Sequence, residues 1–229
     1  YNGIIPTKPY TEDLQGLPVI NIRRVPLNDL LNATVKRMVD IFGAVVALIL
    51  FSPIMLVTAG LIKLTSPGPL IYKQERVGLH NRPFSMYKFR SMHKDADERL
   101  AELAELNEAD GPLFKIKDDP RVTRIGRFIR KHSIDELPQF LNCLMGQLSC
   151  VGPRPPLPSE VAQYDERAMR RLSVKPGLTG YWQVRGRSDT TFDDMVAMDL
   201  AYIEERSFLV DLKVIAKTVV TMLDGKGAC

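Results

Sequence analysis

Cysteine, histidine and tryptophan are scarce in this chain of 229 residues, with three, three and one copies. None of Cys143, Cys150 and Cys229 forms a CxxC pair, and their odd number argues against a disulfide framework. His80, His93 and His132 are scattered, so no zinc-type cluster is expected. This is the usage of a reduced, cytosol-facing protein. Aromatic residues make up only 7%, no aromatic-rich basic repeat occurs, and a net charge of +4 is too weak to argue nucleic acid. A cleavable signal peptide, an internal repeat and a low-complexity tract are also missing. What remains is a chain with 25% charged residues, typical of a folded protein, and long enough for one domain with a core plus attachments. Its mild basicity suits anionic lipid headgroups or phosphate-bearing ligands.

Long apolar runs are scarce too, which makes the one present informative. Ile41 to Leu64 reads IFGAVVALILFSPIMLVTAGLIKL. As a helix it reaches roughly 36 Å, enough to cross a bilayer core. Pro53 near its midpoint removes an amide donor and forces a kink or break, while Ser52 can bond back to a carbonyl one turn earlier. Lys36 and Arg37 precede the run; Lys63, Lys73 and Arg76 end or follow it. Positive residues at both ends place both on the cytoplasmic side, as in a segment that enters, bends at Ser52–Pro53 and returns. A kinked spanning helix and a buried core helix are the competing readings.

Around this run the sequence divides into a linker with the end of a preceding domain and an interfacial helix (1–35), a membrane segment (36–66) and a cytosolic domain (67–229). The opening is Pro-rich and irregular, and the chain, which begins at Tyr1, reads as a piece of a longer protein. Leu27 to Val39 has the spacing of an amphipathic helix. Leu70–Gly78 and Phe84–Met92 read as two strands of a hairpin, and KDADERLAELAELNEA as a solvent-exposed helix. VTRIGRFIRKH reads as a short basic helix, Ser133–Gly146 as a helix with a marked start, and Cys150–Pro158 as a rigid extended loop. SEVAQYDERAMRRLSV reads as a helix, and two amphipathic helices close the chain after Thr191. The fold class is α/β, helix-rich with a small sheet.

The chemistry centres on Ser133-Ile134-Asp135-Glu136-Leu137-Pro138. Ser133 and Glu136 have capping-box spacing, and in the bland reading the acids only complement a helix dipole. In the functional reading, one carboxylate of the first helical turn attacks phosphorus and its neighbour could hold Mg²⁺. Arg127, Arg130 and Lys131 just upstream, and Arg154 between two prolines, could clamp phosphate. Lys88 and Arg90 are two apart on a strand and share a face that a phosphate site could use.

These blocks, with VKPGLTGYWQVRGR and MDLAYIEERSFLVDLKVIAKTVV, occur in an order that covers nearly everything from Lys36 onward. The sequence resembles the catalytic domain of the monotopic phosphoglycosyl transferases, the bacterial sugar transferase family acting on polyprenyl phosphate. It looks most like the large members, in which this domain follows a transmembrane bundle and a nucleotide-binding-like domain. The resemblance implies transfer of a sugar-1-phosphate from a UDP-sugar to undecaprenyl phosphate at the bacterial inner membrane, with Mg²⁺ and a covalent phosphosugar on Asp135. It implies Glu136 as the metal ligand, Arg130 and Arg154 on phosphate groups, Lys88 lining the site and Asp199 supporting it. It also implies a re-entrant helix bent at Ser52–Pro53 and, by analogy with large relatives, a homodimer. Gln183 and Arg185, with Arg187, match a family block as nucleotide-binding or loop-structuring residues. The terminal Cys229 stands where relatives often carry an aromatic residue. A degenerate membrane scaffold and an aspartyl-based phosphohydrolase are the rival functions.

Overall fold

A computed structural model describes residues 10–14, 17–21, 30–96, 116, 119–185 and 190–223. The expected acidic helix in 94–109 falls largely outside them, as does Cys229. Strands β1 (Tyr10–Leu14) and β2 (Leu17–Asn21) pair antiparallel, so the opening read as irregular carries a hairpin. A two-stranded ribbon has only edge strands, where a proline such as Pro18 is tolerated.

Helix α1 (Leu30–Thr65) runs for 36 residues, roughly 54 Å. It absorbs both the amphipathic lead-in and the apolar run, so the boundary drawn at residue 36 falls inside it. The break expected at Ser52–Pro53 is not a gap: the helix carries through. Pro53 cannot donate to the carbonyl of Ile49, and the Ser52 hydroxyl donates to that carbonyl instead, at 2.8 Å.

On either side of this pair, α1 rests on the same domain. Ala44 is fully buried among Met86, Cys143 and Leu148. Ile62 is buried against Phe89 and Ile129, with Met55 and Ala59 beside it. Between the two seats, Ile49 and Leu50 are 71% and 66% exposed. The helix is long and apolar enough to cross a membrane, and protein covers little of its apolar stretch. The basic flanks are used within the protein. Lys36 pairs with Asp211 at 2.5 Å and with Asp40 at 3.4 Å, and also donates to the carbonyl of Val151. Arg37 donates to the carbonyls of Cys143 and Leu144, at 2.6 and 2.7 Å. Lys63 reaches the carbonyl of Gly68. Lys36 and Arg37, read as one of the two basic flanks, thus also fasten α1 to the domain.

Strands β3 (Ile71–Val77) and β4 (Pro83–Phe89) form the predicted antiparallel hairpin, with Tyr72 opposite Lys88 and Lys73 opposite Tyr87. Helix α2 (Arg124–Lys131) starts on Thr123, whose hydroxyl accepts the Gly126 amide. Helix α3 (Gln139–Leu144) lies along the edge of β4: Asn142 accepts the amide of Tyr87 and donates to the carbonyl of Ser85. Strand β5 (Ser149–Val151) pairs in parallel with β6 (Gly177–Thr179). The stretch 159–174, read as one helix, is divided into α4 (Pro158–Val161), α5 (Glu166–Met169) and a 3-10 turn (Arg170–Ser173). Asp165 restarts the chain as an N-cap, accepting the Ala168 amide at 2.7 Å.

Helices α6 (Tyr181–Arg185), α7 (Phe192–Glu205) and α8 (Phe208–Leu223) complete the domain. The largest core cluster joins β5, α5 and α6 to α7 and α8 through Val151, Ala168, Tyr181, Val196, Tyr202, Ile203 and Val214. Of these two closing amphipathic helices, only α8 keeps a broad exposed apolar face. Helix α7 buries Met195, Val196, Leu200, Tyr202 and Ile203, whereas α8 exposes Phe208, Leu209, Leu212, Val219 and Val220. The architecture is α/β and helix-rich, with three small two-stranded sheets among the described residues.

Candidate active site

The acids do not open a long helix. Ser133 adopts a left-handed conformation (φ 54°) and makes no capping bond; its amide donates to the carbonyl of Arg130 at 3.0 Å. It therefore ends α2, in the manner of a left-handed residue after a helix C-terminus, instead of starting the next helix. Asp135 and Glu136 follow on a 3-10 turn (Ile134–Glu136), and α3 begins only after Pro138. The capping box and the full helical turn of free amides expected around the acids are absent. Pro138 accounts for this, since it cannot sit beyond the first turn of a helix begun at Ser133.

Cations supply the positive potential that the helix terminus does not. Lys88 donates to Glu136 Oε1 at 2.8 Å, from the face of β4 that also carries Met86. Its side chain is 23% exposed and that of Glu136 42% exposed, so the pair forms an accessible rim. Asp135 is buried beneath it, at 7% exposure. Burial, and then the charge of Glu136, push the Asp135 carboxyl up to about 6, against the pull of Lys88 and Arg130. Glu136 moves the other way. Partial desolvation opposes its ionisation, but Lys88, by charge and hydrogen bond, and then Arg76 and Arg154 hold its carboxyl below the usual range. Two neighbouring carboxyls are thus driven apart, the arrangement that assigns different tasks to like groups.

Arg154 stands in the extended loop after β5. Its Nη1 contacts both carboxylate oxygens of Glu160, at 3.1 and 3.0 Å, while its side chain stays 25% exposed. Glu160 is itself buried and also accepts the Leu157 amide. Arg130, in the last turn of α2, is close enough for its charge to bear on Asp135. The predicted residues Lys88, Arg130, Asp135, Glu136 and Arg154 therefore gather electrostatically around one point.

The remaining predicted residues make other contacts. Arg90 lies just past β4 and is 7% exposed; its Nη1 and Nη2 donate to the carbonyls of Pro67 and Ser66, at 3.1 and 2.7 Å. It clamps the turn that leaves α1, and the phosphate-facing role read from its spacing is wrong. Gln183 and Arg185 sit on α6, which packs on α7 and α8. Arg185 stacks over the Tyr181 ring at 4.0 Å, and among the described contacts none links either residue to the acid pair. Asp199 is 1% exposed and holds Arg171, whose Nε and Nη2 both approach Asp199 Oδ2 at 2.8 Å. It stands behind Arg154 and not at the acids.

The sequence reading missed Arg76, Glu160 and Arg171. Arg76 is 7% exposed, donates to the carbonyl of Pro155 and to Gln74, and has its pKa lowered to about 10 by burial and then by the charge of Arg154. Arg76 and Arg171 reach Pro155 and Asp199, 79 and 28 residues away, which no local pattern reveals, whereas Glu160 lies three and six residues from its partners Leu157 and Arg154.

Among the described residues, no group of three or more acidic, histidine or cysteine side chains could hold a metal. The donors present, a half-exposed Glu136 beside Asp135, nevertheless fit a hard cation such as Mg²⁺, which binds through one or two carboxylates and completes its shell with substrate phosphates and water.

A buried carboxylate, a second carboxylate at the rim and the cations whose charges bear on them thus stand in a domain that carries a long exposed apolar helix. The family model described as bacterial sugar transferase matches residues 31–225, and the chain belongs to that family. It is 46% identical over 194 residues to the galactosyl transferase CpsE of Streptococcus agalactiae, covering 84% of this chain and 43% of that protein. It is 45% identical over 202 residues to an Aeromonas hydrophila UDP-N-acetylgalactosamine-undecaprenyl-phosphate N-acetylgalactosaminephosphotransferase, covering 86% and 45%. With the exopolysaccharide production protein ExoY of Rhizobium meliloti it shares 40% identity over 197 residues, covering 84% and 87%. The chain thus spans less than half of two of these relatives and most of the third.

Proposed function

We propose that this chain transfers a sugar-1-phosphate from a UDP-sugar to undecaprenyl phosphate at the cytoplasmic face of a bacterial inner membrane. The Asp135 carboxylate attacks the phosphorus that bears the sugar. The bond from that phosphorus to the bridging oxygen breaks, UMP leaves, and Asp135 carries the phosphosugar. An oxygen of undecaprenyl phosphate then attacks the same phosphorus and breaks its bond to Asp135. The products are a lipid-linked diphosphate sugar and a free carboxylate. Lys88, Arg130 and Arg154 hold the phosphates in line, which is the main demand of phosphoryl transfer. Glu136 would hold Mg²⁺, which when bound neutralises charge on the diphosphate and the departing UMP.

The observation that carries this reading is the buried Asp135 beneath the Lys88–Glu136 rim. A desolvated carboxylate is a stronger nucleophile than a hydrated one, and its raised pKa leaves it ionised near neutrality. The relatives' names add the lipid acceptor, and they name more than one sugar, so the donor hexose is left open. A monotopic placement is supported by α1 itself: Ala44 and Ile62 lie on opposite sides of Ser52–Pro53, yet both are buried in this one domain. A helix that dips into one leaflet with both ends held to the same body suits a site that must meet a soluble nucleotide and a lipid phosphate. The test is UMP release by the chain in lipid nanodiscs, with undecaprenyl phosphate, Mg²⁺ and a panel of UDP-sugars. Acid-quenched enzyme should carry the phosphosugar on Asp135, and an unlabelled Asp135 in active enzyme would overturn the covalent route.

A further inference from the structure

The loop that presents Arg154 contains Pro153, Pro155 and Pro156, none of which has an amide hydrogen to donate. The backbone of such a loop is held chiefly through its carbonyls, beside the Arg154–Glu160 pair, and each of the four carbonyls from 153 to 156 has its own donor. The Gly177 amide donates to Pro153 at 2.8 Å, and the Val77 amide to Pro156 at 2.9 Å. Arg76 Nη1 donates to Pro155 at 2.9 Å. Arg171 Nη2 reaches the Arg154 carbonyl at 3.3 Å. The two arginines are themselves fixed. Arg171 is locked by Asp199 and by the Tyr164 hydroxyl, at 2.8 and 2.6 Å, with its side chain 1% exposed. Arg76 grips Gln74 through Nε and Nη2, at 3.1 and 2.7 Å.

Burying a guanidinium is costly, and a loop of this size could rest on neutral donors. Here two buried guanidiniums end on consecutive carbonyls of the residue that aims at the acids and of the residue after it. The nitrogens of Arg76 are taken up by Gln74 and Pro155 and those of Arg171 by Asp199, Tyr164 and the Arg154 carbonyl, while the charge of Arg76 also bears on Glu136, which a lysine there would retain.

We propose that Arg76 and Arg171, the latter with Asp199 behind it, are positioning residues that set the aim of Arg154. The proposal rests on the phosphate-binding role given to Arg154 above. Arg76 fixes the loop from the hairpin that also carries Lys88, and Arg171 fixes it from the far side, so two of the cations around the diphosphate share one frame.

The test uses Arg76→Lys and Arg171→Lys, which keep the charge but lose the planar fork, in the wild-type and the Arg154→Ala backgrounds. A displacement of about 1 Å at a positioned group can cost on the order of 10²-fold in rate, so each single variant should lose that much in UMP release. If they act through Arg154, adding either to Arg154→Ala should change the remaining rate by less than about twofold. Hydrogen exchange at the Val77 and Gly177 amides, which bond this loop, should accelerate several-fold in each variant while the melting temperature falls only slightly. Undiminished losses in the Arg154→Ala background, or unchanged exchange at both amides, would overturn the proposal. Should Arg171→Lys fail to fold, Arg76→Lys decides alone, since its bond to Pro155 is separate. The exchange measurement needs no turnover, so a chain that released no UMP would defeat the proposed reaction while the loop geometry was still judged.

Discussion

Asp135 and Asp199 are two buried aspartates, each pushed up to about 6 and each chiefly by burial. Their surroundings differ. Asp199 grips Arg171 deep in the domain, and its charge has one fixed partner. Asp135 has another carboxylate beside it, and its cations act mostly through space beneath a half-open rim. A raised pKa alone therefore does not mark a reacting group. What separates the two is whether the counter-charge is already spent on a closed ion pair or left for an incoming ligand.

The largest effect should come from the acid turn. Asp135→Asn should lower turnover by at least about 10³-fold with little change in melting temperature, because it removes the nucleophile and not a buried ion pair. Asp199→Ala should invert this pattern. Leaving buried Arg171 charged without its carboxylate should cost about 3–5 kcal/mol of stability, read by denaturant unfolding, with activity falling because less protein is folded and Arg154 is less well held. Equal stability losses in the two variants would break the comparison.

Lys88→Ala comes next. Without its ammonium, Glu136 loses its main counter-charge, its carboxyl rises toward the ordinary range, and the rate should drop about 10–100-fold. Arg90→Gln should instead lower stability and leave the rate per folded molecule nearly unchanged.

Acidity sharpens the contrast further. UMP release should rise with pH through about 6 as Asp135 ionises, and that limb belongs to kcat/KM of the free enzyme. Asp199 acts on stability with the opposite sign. Its folded value lies above the ordinary 3.8, so the stability it contributes is complete below about 3.8 and is lost as the pH climbs through about 6. Asp199→Asn should flatten that slope without moving the activity limb. The smallest effect belongs to Ser52→Ala, which frees the Ile49 carbonyl and should cost about 1 kcal/mol in helix stability, measured by hydrogen exchange in nanodiscs.

Much of the fold was legible in local pattern. The β3–β4 hairpin, the basic helix α2, the apolar helix and the serine that repairs its proline follow from periodicity, turn residues and hydrogen-bonding capacity within one turn of chain. The acid turn was legible as a motif but not as a shape, because Pro138 and the left-handed Ser133 replace a capped helix with a 3-10 turn. Arg90 shows the same limit. Strand spacing put it on the face of Lys88, but the strand ends one residue before it and its guanidinium turns to Ser66 and Pro67.

The sequence by itself determined the reactive types and their order: an Asp-Glu pair, an arginine pinned between prolines, and one apolar segment flanked by cations. These depend on side-chain chemistry and on neighbours a few residues away. Only the tertiary structure decided which cations face the acids, that Lys36 and Arg37 fasten α1 to the domain, and that Arg76 and Arg171 hold the loop of Arg154. Those roles are set by partners 17 to 175 residues distant, from Arg171 on the Arg154 carbonyl to Lys36 on Asp211. Charge and hydrogen bonding act through space, and the chain's order does not reveal which residues folding brings within reach.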